Sequence, residues 1–93
     1  MYKVILEIKE ARGECPVGYK IGNKIVVERG SIKFEETTVP RLCLGALSAL
    51  IPYLTALIRD TPDSDWINTD KEIQCPDPKN TIIFRISRIK ENF

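Results

Sequence analysis

Hydrophobic and polar residues alternate in two long segments, residues 2–11 and residues 81–90. The hydrophobic members of this alternation are Val4, Leu6, Ile8, Ile82, Phe84 and Ile86. Because successive side chains of a strand point to opposite faces, each segment predicts a strand with one buried and one solvated face. Both segments are long enough to pair at the centre of a sheet. Ile89 interrupts the second alternation and predicts a β-bulge there.

Shorter extended segments lie between these two strands. Residues 24–28 and 31–35 flank the turn sequence Arg29-Gly30, which predicts a β-hairpin. Residues 71–74 predict a short strand, and the polar loop before it, residues 61–70, contains Trp66 as a hydrophobic anchor. The chain therefore predicts four or five strands.

An uncharged, mostly hydrophobic run, residues 42–58, predicts the helical part of the fold. The helix is predicted from about Pro40 to Arg59, with a threonine N-cap before it. Its small or polar residues recur at three- and four-residue steps, which indicates one narrow outer face. Those residues are Gly45, Ser48, Pro52, Thr55 and Arg59. Pro52 lacks an N–H for the carbonyl of Ser48 and predicts a kink or a break.

Together these elements predict a single domain over residues 1–93 of the α+β class. We expect a small antiparallel or mixed sheet of four to five strands, packed against one long, Pro-kinked helical segment. The hydrophobic run is shorter than a comfortable membrane span and contains Pro52, so a buried helix is favoured over a membrane partner.

The composition of the chain limits the kinds of binding and catalysis that it can perform. The chain has 14 basic and 13 acidic residues, a net charge of +1, and this balance disfavours binding to a phosphate backbone. It has no histidine, which excludes Ser-His-Asp and Cys-His catalysis within one chain. Its three cysteines are an odd number, and the charged start "MYKVILEIKE" is no signal peptide. We expect free thiols and a cytoplasmic location.

The three cysteines are the candidate site. Cys15 and Cys75 each precede a proline in a turn, and Cys43 lies in the predicted first turn of the helix. If the fold brings these three elements together, thiolates could bind a soft metal such as zinc or iron, with Asp77 as the natural fourth ligand. The chain has no C-x-x-C spacing, and three unrelated buried thiols remain the simplest alternative.

Two further interpretations stay open. The helix macrodipole and Arg41 favour a thiolate at Cys43, which could be the nucleophile or redox centre of a thiol-dependent enzyme. Alternatively the thiols are inert and the apolar helix forms a homo-oligomer. The remaining candidate ligand-binding residues are Gly18 and Tyr19, beside the first cysteine, and Trp66, which could cover a pocket or anchor an interface.

The combined motif resembles one known family. Gly13-x-Cys15-Pro16-x-Gly18-Tyr19-Lys20-x-Gly22 is followed by Leu42-Cys43 at an apolar helix and by Cys75-Pro76-Asp77 before a final strand. This pattern is similar to a family of small, uncharacterised prokaryotic and fungal proteins marked by three cysteine positions. That family commonly has histidine at the position of Tyr19, and Gly-Gly after the helix. The resemblance implies that the three cysteines belong together, and it implies no reaction.

The sequence thus predicts a small cytoplasmic binding or accessory domain with a thiol-lined pocket for a metal or a small ligand.

Overall fold

The computed structural model describes residues 1–69 and 71–91, so Asp70 of the predicted polar loop lies outside the described residues. The elements in chain order are β1 (Tyr2–Ala11), β2 (Lys24–Glu28), β3 (Ser31–Ile32), α1 (Leu44–Leu57), a short 3-10 helix (Trp66–Asn68), β4 (Glu72–Gln74) and β5 (Ile82–Lys90). The strands form one open antiparallel sheet in the order β3-β2-β1-β5-β4. The predicted α+β class is confirmed.

The two long strands pair at the centre of the sheet, as their length predicts. Leu6 lies opposite Ile86, and Ile8 lies opposite Phe84. These side chains are buried beneath α1, together with Val4, which is fully buried. The predicted bulge at Ile89 is wrong: Ile89 pairs regularly with Lys3, and the register shifts instead in β1, between Ile8 and Glu10.

The hairpin of β2 and β3 has the predicted turn, but β3 is only two residues long. Arg29 and Gly30 both have positive φ, 55° and 77°, the combination that a two-residue hairpin turn of type I′ needs. One further backbone bond continues the ladder, from the N–H of Lys33 to the carbonyl of Val26, and the N–H of Val26 donates to the Thr37 hydroxyl. A side-chain acceptor therefore takes the place of the strand that the sequence predicts to Glu35.

Helix α1 begins at Leu44, so the predicted start near Pro40 is wrong. Cys43 is the N-cap, with φ −85° and ψ 124° and no side-chain capping bond. The threonines that could cap an earlier start are engaged elsewhere, since the hydroxyls of Thr37 and Thr38 accept from the backbone N–H groups of Val26 and Lys24. Cys43 therefore lies at the helix entrance instead of inside the first turn.

The far end of α1 is held by the central strands. The helix continues through Pro52 to Leu57 without dividing in two. The Arg88 guanidinium donates to the carbonyl of Leu57 at 3.1 Å, and the N–H of Tyr2 donates to the carbonyl of Ile58 at 2.8 Å. A cation at a helix C-terminus also stabilises the macrodipole.

The faces of α1 agree with the sequence pattern. Ala46, Leu50 and Leu57 are buried against the sheet, and the predicted outer face is exposed at Ser48, Pro52, Thr55 and Arg59. Gly45, which the pattern assigns to the same face, is half-buried. Leu44 and Ile51 are exposed as well. Within the described residues, no helix has the length and hydropathy that a membrane crossing requires.

The loop after α1 is anchored by Ile67 and not by Trp66. Ile67 is buried, whereas 57% of Trp66 is exposed. The Asp65 carboxylate accepts from the N–H of Ile67 and caps the 3-10 helix, which turns Ile67 inward.

Candidate functional site

One pocket contains all three cysteines. It has a volume of about 150 Å³ and lies where the β1–β2 loop, the start of α1 and the β4–β5 loop meet. Its wall includes Cys15, Tyr19, Cys43, Cys75, Asp77 and Asn80. We call it the thiol pocket. Residues that are distant along the chain therefore share one space.

The two Cys-Pro loops are joined by backbone contacts. The N–H of Arg12 donates to the carbonyl of Thr81 at 2.8 Å, and the N–H of Glu14 donates to Oδ1 of Asn80 at 2.9 Å. Gly13, between these donors, has φ +73°, and a Cβ there would lie 2.5 Å from the carbonyl oxygen of Lys79. Only glycine permits this approach, so the joined loops keep Cys15 and Cys75 on the same side of the sheet.

Cys15 is held by a tight turn. The N–H of Gly18 donates to the carbonyl of Cys15 at 3.0 Å, with Pro16 at the second position of the turn. Proline presets φ at this position, and glycine is favoured at the fourth. Cys15 is half-buried at the pocket wall as a result.

Tyr19 connects the first loop to the helix entrance. Its hydroxyl accepts from the N–H of Cys43 at 2.9 Å and donates to the carbonyl of Arg41 at 2.8 Å. Its ring is 4% exposed and stands edge-on to Phe84, with 6.3 Å between the ring centroids. This one side chain therefore determines where Cys43 lies at the start of α1.

The environment keeps the Tyr19 hydroxyl protonated. Burial raises the pKa of Tyr19 above 10.0, the hydrogen bond from the N–H of Cys43 opposes this, and the nearby thiols of Cys43 and Cys15 raise it further. A protonated hydroxyl can keep donating to Arg41. Both thiols are thus electrostatic neighbours of the tyrosine.

Cys43 lies over the first turn of the helix. Its Sγ would be 3.8 Å from a Cβ built on Gly45, and both residues line the thiol pocket. The backbone N–H groups of the first helical turn carry partial positive charge at this end of the helix. A Cβ at Gly45 would be in ordinary van der Waals contact with this sulfur.

Cys75 and Asp77 are engaged within their own loop. Sγ of Cys75 accepts from the N–H of Ile82 at 3.2 Å, and 8% of the residue is exposed. Oδ1 of Asp77 accepts from the N–H groups of Lys79 and Asn80 at 2.9 and 3.0 Å. These two bonds, first that from Asn80, lower the pKa of Asp77, so the carboxylate stabilises the turn.

The predicted metal centre has no preformed ligand set. Over residues 1–69 and 71–91, no group of three or more cysteine, aspartate or glutamate side chains is arranged to hold a metal ion. Cys15, Cys43, Cys75 and Asp77 share the pocket wall, but Oδ1 of Asp77 faces its own turn. Zinc or iron at these four residues stays a prediction.

The remaining candidates are divided between the pocket and the surface. Tyr19 is part of the pocket wall, whereas the described wall residues do not include Gly18 or Trp66. Gly18 closes the turn at Cys15. Trp66 stands edge-on to Tyr53, with 5.7 Å between the ring centroids.

Sequence reasoning missed Asn80 as part of the site. It ends the turn "CPDPKN", where asparagine is an ordinary turn residue, and its role depends on a backbone N–H in another loop. No local signal indicates that contact.

Comparisons with known protein families, with curated proteins and with solved structures give no match for this chain. The resemblance to the three-cysteine family therefore stays a prediction. The fold and pocket define a small α+β protein with three free thiols around one cavity.

Proposed function

We propose that this protein is a small binding domain whose functional site is the thiol pocket. The observation that supports this most directly is that cysteines from three separate elements, Cys15, Cys43 and Cys75, line one cavity. The ligand is a small molecule with a thiophilic centre, held chiefly through sulfur.

The pocket wall selects for size and charge. A volume of about 150 Å³ accommodates only a small ligand, well below the size of typical drug-binding pockets. The wall contributes mainly apolar surface, including Val17, Ala46 and Ile82, and Oδ1 of Asp77 is occupied by its own turn. An uncharged or weakly polar ligand suits such a wall, because transfer of an unpaired charge into it would be costly.

The sulfur atoms have different parts in this proposal. Sγ of Cys75 already accepts a hydrogen bond from the N–H of Ile82, and Cys75 is the most buried of the three cysteines. Cys15 and Cys43 are half-buried and have no disulfide partner, so they contact the ligand directly.

Three free thiols suit a reducing compartment, and we place the protein in the cytoplasm on that basis.

A zinc or iron ion is the alternative ligand, because soft metals also bind thiolates. A thiol-dependent enzyme centred on Cys43 is the alternative activity, because Cys43 is the N-cap of α1 and lines the thiol pocket.

A trivalent arsenical tests the proposal, because it bridges two thiols that lie close together. We expect phenylarsine oxide to bind the folded chain one to one and to remove two free thiols, as measured by calorimetry and thiol titration. Cys15→Ser and Cys43→Ser should each weaken binding by at least about tenfold, because a single thiol loses the chelate effect.

The same chain in urea is the control, since unfolding separates the three elements. Equal affinity in the folded and unfolded states would contradict the pocket as a site. Zinc and ferrous ions are tested in parallel by thermal shift and by the same thiol titration. A bound metal ion that shields all three thiols from the titrant would support the metal alternative instead.

A further inference from the structure

Strand β4 forms one edge of the sheet, and its backbone groups show what can bind there. The N–H of Cys75 donates to the carbonyl of Ile82, and the N–H of Ile86 donates to the carbonyl of Lys71, at 2.9 and 2.8 Å. Hydrogen-bonded and non-hydrogen-bonded pairs alternate along an antiparallel ladder. The residues between these bonded pairs, Glu72 and Gln74, therefore direct their own N–H and C=O groups away from β5.

We propose that β4 pairs with β4 of a second copy of this chain, antiparallel about a two-fold axis at Ile73. In this register Glu72 of one copy lies opposite Gln74 of the other. Each of these pairs exchanges an N–H and a C=O bond, so the two strands form four hydrogen bonds and satisfy all outward groups of both residues. The two sheets join into one continuous sheet.

The side chains suit this symmetric register. Glu72 and Gln74 are both exposed and lie on the sheet face opposite the core, because Ile73 between them is buried. A two-fold axis at Ile73 puts a carboxylate opposite an amide on both sides of the axis. Like charges do not face each other. The Glu72 carboxylate already forms an ion pair with Nζ of Lys9 in β1, and it can accept from the Gln74 amide N–H of the second copy in addition.

A groove on the helix side of β4 adds a second contact. It has a volume of about 450 Å³ and lies between β4 and α1, with Ala49, Pro52 and Tyr53 in its wall. Trp66 stands edge-on to Tyr53 and is 57% exposed. The axis runs perpendicular to the joined sheet, so both helices and both grooves lie on the same face. Exposed aromatic residues beside a symmetry axis are typical of protein interfaces.

Charge substitution at Gln74 tests the register, with sedimentation velocity over a concentration series on the full chain. We expect a weak, reversible dimer, because each strand contributes only three residues. Gln74→Lys creates two opposite-charge pairs with Glu72 and should tighten the dimer about fivefold, whereas Gln74→Glu creates two like-charge pairs and should weaken it about fivefold.

Ser87 supplies the matched control. It is exposed on the same sheet face but belongs to β5, away from the edge, so Ser87→Lys and Ser87→Glu should leave the dimer constant unchanged. Amide hydrogen exchange gives an independent measure: exchange at Glu72 and Gln74 should slow as the chain concentration rises.

Three results would overturn the proposal: a wild-type chain that stays monomeric at millimolar concentration, equal shifts at Gln74 and Ser87, or a dimer whose Glu72 and Gln74 amides exchange as fast as in the monomer. The last result would move the interface to another surface, such as the outer face of α1. A foreign extended peptide that slows the same two amides while the chain alone stays monomeric would also replace self-pairing. None of these results depends on the thiol pocket.

Discussion

Gly13 lies where the two Cys-Pro loops meet, and its missing side chain allows the loops to touch. A Cβ at this position would lie 2.5 Å from both Oδ1 of Asn80 and the carbonyl oxygen of Lys79. The residue also has φ +73°, where side chains are strained. A single position therefore controls both the backbone turn and the distance between the walls of the thiol pocket.

We expect Gly13→Ala to destabilise the fold by about 2–4 kcal/mol, because left-handed strain adds to the displacement of a neighbouring backbone. Gly22→Ala is the matched control: Gly22 has φ +92°, but nothing lies within 4 Å of its Cβ position, so only the strain of about 1–2 kcal/mol remains. Urea unfolding of both variants measures the difference. Equal losses of stability would show that the loop contact contributes nothing.

At the scale of elements, helix α1 carries a proline in its interior. Pro52 is exposed, and its ring leaves the carbonyl of Ser48 without the usual donor four residues later. The helix nevertheless continues to Leu57, because Leu50 and Leu57 are buried against the sheet and Arg88 binds the last turn. Tertiary packing holds a helix that local preference would interrupt.

We therefore expect Pro52→Ala to stabilise the protein by about 1–2 kcal/mol. Alanine restores the N–H and is favoured over proline by about 3 kcal/mol in a helix interior, and the greater entropy of the unfolded chain offsets about 1 kcal/mol. Thr55→Ala, also exposed and on the next turn, should change stability by only about 0.5 kcal/mol. Thermal unfolding measures both. A destabilised Pro52→Ala variant would indicate that the proline shape itself is required.

At the scale of the whole molecule, ion pairs tie the segment after β3 to the centre of the sheet. The Glu36 carboxylate is 2.7 Å from Nζ of Lys3 in β1 and 2.9 Å from Nζ of Lys33. Hydrogen bonds from Lys3, then from Lys33, lower the pKa of Glu36 from 4.5 to about 2. The carboxylate therefore keeps its charge in the folded protein well below the pH at which it is protonated in the unfolded chain.

The lowered pKa of Glu36 makes the free energy of unfolding depend on pH under acid conditions. The pKa of Glu36 is lower in the folded protein than in the unfolded chain. Its ion pairs therefore contribute fully to stability above pH 4.5, and this contribution is lost as the pH falls toward 2. We expect Glu36→Gln to flatten the fall of the free energy of unfolding over that interval, measured by urea titration at several pH values. Glu35→Gln, at the exposed neighbouring position, is the control. An unchanged slope in Glu36→Gln would contradict the role of these ion pairs.

Much of the sheet could be predicted because the information is local. The alternation around Leu6 and around Phe84 is a direct consequence of strand geometry, and Arg29-Gly30 has the residues that its turn requires. The candidate site was only partly predictable. Cysteines beside prolines identified the loops, but Asn80 and the Tyr19 hydroxyl act through backbone partners far away in the chain.

The sequence by itself indicated the α+β class, and it determined which faces of β1, β5 and α1 are buried, because each face follows from hydrophobic periodicity within one segment. Tertiary structure decided where α1 begins, that Ile67 and not Trp66 anchors its loop, and that three thiols line one cavity. These features depend on which donors and acceptors meet across the fold. Thr38 bonds to Lys24 instead of capping the helix, and the Tyr19 hydroxyl binds Arg41 and Cys43, because distant backbone groups come within hydrogen-bond distance only after the sheet has formed.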